Sequence, residues 1–184
     1  MDEGTRELLA AAQASAQRGD WQHVERVAQM LLSRNAADPS GQFLIGLARK
    51  LQNRAEEASR AFQLALTADP RRYDAAIELA NICQISGRYP DAIGLLDAYA
   101  PELSNSPYYL CMAGLAYRRL GVHLKAHGLF ERAHFLQPEI ENFKALLAAE
   151  KVTLGQIDQA ATIYQSLLDT YPKHRRYHFE LANL

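Results

Sequence analysis

The stretch from Pro107 to Pro138 reads PYYLCMAGLAYRRLGVHLKAHGLFERAHFLQP. In its first half Leu110, Ala113, Gly114 and Tyr117 fall three or four residues apart, the spacing of one helix face. In its second half Ala126, Phe130 and Ala133 do the same. Gly121 lies between the two runs and Pro138 closes the second. Glycine readily ends a helix in a left-handed turn, and proline cannot continue one. The stretch therefore predicts two short antiparallel helices joined by a tight turn.

Working outward, the same pattern returns every 34 residues without a gap. Gly46, Ala80, Gly114, Ala148 and Ala182 form a column of small residues. Ala58, Ala92, Ala126 and Ala160 form a column of alanine, and Phe62, Leu96, Phe130 and Tyr164 one of large side chains. Asn53, Gly87, Gly121 and Gly155 are turn formers. Pro70, Ser104, Pro138 and Pro172 end the pairs, with Ser104 the one departure. The small and alanine columns belong to facing helices, so small residues there are expected to let two backbones approach closely. Enlarging Gly114 or Ala126 is expected to cost about 1–3 kcal/mol by overpacking. A hairpin of this size cannot bury its apolar faces alone, so neighbours must stack into a solenoid.

These columns resemble the tetratricopeptide repeat (TPR) family, whose pattern is Leu-Gly, Tyr, Ala, Phe, Ala and Pro. Ala113-Gly114, Tyr117, Gly121, Ala126, Phe130, Ala133 and Pro138 carry it best. Ile45-Gly46, Ala58, Phe62, Ala65 and Pro70 follow closely. The third repeat is looser, with Tyr99 in place of alanine, and the first retains Gly19-Asp20-Trp21 in frame. The resemblance implies an all-α fold, a right-handed α–α superhelix. Its five hairpins span 5–38, 39–72, 73–106, 107–140 and 141–174, and a sixth begins at 175–184, all within a single array over 1–184.

Composition fits a folded chain of this kind. The 184 residues are 48% hydrophobic and 22% charged, outside the disordered range. A net charge of −1 gives no footprint for nucleic acid. No window is long and apolar enough for a membrane span. Cys83 and Cys111 lack metal-site spacing and read as small apolar side chains in a reducing compartment, which with the absence of a signal-peptide pattern points to the cytoplasm.

By resemblance, the first helix of each pair lines a concave groove that binds a peptide or a partner helix. The groove residues would be Phe43, Leu44, Leu47, Ile77, Glu78, Asn81, Cys111, Met112, Leu115, Leu146 and Ala149. Lys50, Gln84, Arg118 and Arg119 would form its polar edge. The surface is largely apolar and suits an apolar or amphipathic segment; many of these residues also suit packing between repeats. No catalytic residue and no cofactor are expected: neither a phosphate loop nor a nucleophile motif occurs. His123 and His127 have a spacing that can share a metal, but no acidic or Cys ligand completes a site on that helix, and His123 occupies a packing column with Tyr89 and Ile157.

The chain ends on Tyr-His-Phe-Glu-Leu-Ala-Asn-Leu, an apolar first-type helix without a polar cap. A terminal repeat ordinarily has a polar outer face, so this sequence is expected to be the N-terminal piece of a longer protein. The ending resembles bacterial proteins in which TPRs precede a sulfotransferase-like domain. There the array would position a substrate for a catalytic domain outside these residues. A free-standing scaffold, dimeric through its exposed ends, is the other expectation.

Some TPR proteins grip acidic chaperone tails with Lys, Asn and Arg on successive groove helices. The matching positions here are Leu9, Gln13, Leu44, Asp74 and Glu78, which supply no cation. No such clamp is expected in the first three repeats. Titrating an acidic chaperone-tail peptide checks this; micromolar binding mapped to residues 5–106 would contradict it.

Overall fold

The computed structural model describes residues 3–184. Among the described residues there are twelve helices and no strand. They are α1 (Glu3–Gln17), α2 (Trp21–Arg34), α3 (Pro39–Leu51), α4 (Ala55–Ala68), α5 (Tyr73–Ile85), α6 (Tyr89–Ala98), α7 (Ala100–Leu103), α8 (Pro107–Arg119), α9 (His123–Leu136), α10 (Glu141–Thr153), α11 (Ile157–Thr170) and α12 (Arg175–Ala182). The chain forms two compact units, one up to Ser86 and one from Gly87 on. The first holds α1–α5 and the second α6–α12.

Local chemistry explains the helix ends. Gly19, Asn53, Gly87, Gly121 and Gly155 all have positive φ, between 59° and 76°. This left-handed conformation reverses the chain after each first helix, and only glycine or asparagine enters it at little cost. Pro39 and Pro107 open α3 and α8, where a missing N–H breaks no bond. The Asp38 carboxylate caps α3 by accepting from Gly41 N at 2.7 Å, and Asp20 caps α2 through His23 N at 3.0 Å.

In the first unit Ala12, Val24, Val27, Ala28, Leu31 and Leu44 form one buried cluster, with Trp21 and Ile45 against it. Phe62 on α4 is fully buried. A Cβ added to Gly46 would come 2.4 Å from its ring. The second unit repeats the contact: a Cβ on Gly114 would lie 2.6 Å from the ring of Phe130, also fully buried. The small column therefore serves a ring more directly than a neighbouring backbone. In these two pairs the second helix lays an aromatic side chain on the first. At the end of the second unit Ala148, Tyr164, Leu167, Leu168 and Tyr177 cluster in the same way.

The third pair departs from the pattern. Its second helix breaks at Tyr99, leaving α6 and the four-residue α7. Pro101 explains the break, because proline in a continuing helix would clash with the carbonyl of residue 97. Beside the break is a cavity of about 210 Å3 lined by Asp97, Ala100, Tyr109, Tyr117 and Lys125 among others. Its polar groups satisfy one another: the Tyr117 hydroxyl donates to Asp97 at 2.8 Å and accepts from Lys125.

A second departure is Glu150 on α10, which is fully buried. Its Oε1 lies 2.6 Å from Nδ1 of His123, the first residue of α9. His123 thus spans two helices through a carboxylate. Among the described residues no group of three His, Cys, Asp or Glu is placed to hold a metal ion.

Two measurements follow from this packing. Gly114→Ala should destabilise the chain by about 1–3 kcal/mol, because the new methyl displaces Phe130. Gly128→Ala on α9, where a Cβ meets nothing within 4 Å, should stabilise it by about 0.5–1 kcal/mol through helix propensity. Urea unfolding of both variants checks the opposite signs. His123→Ala strips the buried Glu150 carboxylate of its partner and should cost about 1–3 kcal/mol, read in the same experiment.

Candidate functional site

The first helix of each pair presents a stripe of side chains at every third or fourth residue. On α3 and α5 in the first unit, Phe43, Leu47, Asn81, Lys50, Glu78 and Gln84 are half-buried. Leu44 and Ile77 are buried, at 9% and 7% exposure. On α8 and α10 in the second unit, Leu115, Arg118, Leu146 and Ala149 are half-buried and Arg119 is exposed. Cys111 and Met112 are buried, at 5% and 6%. Leu44, Ile77, Cys111 and Met112 are therefore core side chains. The physical reason is that a packed helix leaves only a narrow stripe open, while adjacent positions, turned by about 100°, point at neighbours.

Other side chains on the first helices are open. Leu51 is 50% exposed, Ile85 75%, Tyr108 48% and Phe179 67%. The repeat register contains the signal. Leu51, Ile85 and Arg119 share one column, and Phe179 shares one with Phe43.

In the first unit the charges on this face are paired off. Lys50 Nζ lies 2.5 Å from Glu78. Arg72 stacks over the Phe43 ring at 4.7 Å, donates to Ser40 at 2.7 Å and pairs with Asp74 at 3.0 Å. In the second unit the Arg118 guanidinium lies 5.6 Å from the centre of the Phe130 ring. Burial pushes its pKa below the usual value, Glu150 opposes this, and the like charges of Arg119 and Arg176 add to it. Burial also pushes the Cys111 thiol up to about 11. At neutral pH it stays protonated and is not an activated nucleophile.

The tetratricopeptide repeat family matches residues 51–113 and again residues 145–184, together more than half of the chain. None of the curated proteins matches. Among solved structures, the fold is similar to that reported in the functional characterisation of pilF of Pseudomonas aeruginosa. The TM-score is 0.81 at 14% identity, over 99% of this chain and 92% of that one. MamA from Desulfovibrio magneticus RS-1, residues 41 to the end, gives 0.78 at 18% identity, over 95% and 98%. YrrB, described as a TPR protein with an unusual peptide-binding site, gives 0.74 at 14% identity, over 94% and 89%. No helix among the described residues is long and apolar enough to cross a membrane. With helix pairs at a 34-residue interval, left-handed turns between their helices and two regions of family match, the chain belongs to the tetratricopeptide repeat family.

Proposed function

We propose that the chain is a non-catalytic scaffold that receives a peptide or a helix of a partner protein on the faces that the first helices build within its units. The observation that carries this reading is the alignment of open apolar side chains on successive first helices. Leu47 and Leu51 sit one turn apart on α3, and Ile85 continues the Leu51 column on α5. A ladder of this kind accepts the apolar side of an extended or helical segment. The family supports it, since TPR proteins bind proteins or peptides, and so does the peptide-binding site named for YrrB. The buried set Leu44, Ile77, Cys111 and Met112 supports the face from behind, while Phe43, Leu47, Asn81 and Leu115 meet the partner. Lys50, Gln84, Arg118 and Arg119 set its polar edge.

The reading is tested by affinity capture with the full chain, comparing Leu47→Glu and Leu115→Glu with Leu124→Glu. Leu124 lies on the second helix α9 and is 79% exposed. The partner recovered by the native chain should be lost or reduced at least about tenfold in the first two variants, because a charge placed in an apolar contact costs well over 1.4 kcal/mol. It should be retained by the third. Equal recovery in all three would overturn the reading.

A further inference from the structure

The third pair departs from the register in side-chain size as well as in helix continuity. Ala100 stands in a column held elsewhere by Leu32, Leu66 and Leu168, with His134 the other exception. Tyr109 stands in the column of Gly41. In the first unit Leu32 packs on Gly41, where an added Cβ would come 2.9 Å from the leucine side chain. At Ala100 and Tyr109 large and small have changed places, and the break at Tyr99 separates α7 from α6. The exchange does not fill the space. The cavity of about 210 Å3 remains, lined from α6, α7, α8 and α9. At roughly 30 Å3 per water it has room for about seven waters, the scale of a small organic molecule.

Its wall is of two kinds. Ala100, Leu110, Ala113 and Leu129 make an apolar floor. Asp97, Tyr109, Tyr117, Lys125 and Arg132 bring polar groups to the same space. Tyr117 stands between the opposite charges. Its hydroxyl donates to Asp97 at 2.8 Å and accepts from Lys125, whose Nζ lies 3.9 Å from the centre of its ring. Arg132 donates to Asn105 at 2.8 Å. Among the described residues Asp97, Lys125 and Arg132 are in ion-pair contact with no opposite charge. One hydroxyl takes one of the three donors of an ammonium and gives a single proton to a carboxylate, so both groups keep bonding capacity.

An anion and two cations on one cavity, above an apolar floor, match a small molecule that carries both signs and a hydrocarbon chain. We propose that this cavity binds a free α-amino acid with an aliphatic side chain. Its ammonium group meets Asp97, its carboxylate meets Lys125 and Arg132, and its side chain lies on Leu110, Ala113 and Leu129. A ligand lacking either charge leaves the facing group of the protein unpaired, which is the source of selectivity. The site is separate from the first-helix face. On α8 Leu115 is two residues from both Ala113 and Tyr117, about 200° round the helix. The inference therefore stands independently of the reading of that face.

The test is an NMR titration of the isotope-labelled full chain with leucine, with isocaproate, which lacks the ammonium group, and with isopentylamine, which lacks the carboxylate. Leucine should give saturable shifts centred on Asp97, Tyr109, Tyr117 and Lys125, and should bind at least about tenfold more tightly than either analogue. Asp97→Asn should weaken leucine at least about tenfold and leave isocaproate no weaker. Lys125→Met should weaken leucine and leave isopentylamine no weaker. Both positions are exposed, and circular dichroism checks that each variant is folded. Leu115→Glu, on the first-helix face, should keep leucine binding. No saturable shift at millimolar leucine, shifts centred on other residues, equal affinity for the three compounds, or undiminished leucine binding in Asp97→Asn would overturn the proposal. Loss of leucine binding in folded Leu115→Glu would overturn it as well, by moving the ligand to the first-helix face.

Discussion

A phenyl ring lies against the α-carbon of a glycine twice in this chain, Phe62 on Gly46 and Phe130 on Gly114. Much else depends on that contact. The ring fixes how the second helix of a pair rests on the first, because nothing larger than hydrogen fits beneath it. The left-handed residue between the helices sets the reversal, and the ring sets the packing. With one side of α3 and of α8 committed to this contact, another side is left to face outward. The open stripe of Leu47, Leu51 and Leu115 is thus a consequence of how the core is built.

Much of this was legible in the residues. The turn column, with Asn53 standing where its equivalents are glycine, specifies a positive φ, and every member adopts one. Helix starts at Pro39, Tyr73, Pro107, Glu141 and Arg175 recur at the sequence interval. Pro101 could have announced the break after α6, since a proline there is incompatible with a continuous helix. Burial within the first helices was harder to read. Cys111 and Leu115 look alike in a periodic pattern, yet one is core and the other half-open, because the difference lies in which neighbour covers each. Glu150 was missed for a related reason. It shares a column with Ala48, Ile82 and Ala116, all buried, so the register held the clue. Its partner His123 lies 27 residues away on another helix.

The charges separate the two units more sharply than the apolar residues do. Lys50 and Arg72 are each paired with a carboxylate within the first unit. Among the described residues of the second unit Arg118 and Arg119 have no carboxylate in ion-pair contact, while Arg176 pairs with Glu180. The same repeat register thus yields two faces with different electrostatics. Affinity then follows from desolvation and pairing of a few groups, and less from the area covered.

The central claim is that the first-helix faces meet the partner. Hydrogen–deuterium exchange of the full chain, with and without the captured partner, tests it most directly. Protection is predicted to rise on α3, α5, α8 and α10 while α4, α9 and α11 change little. Protection confined to α4, α9 or α11 would contradict the account.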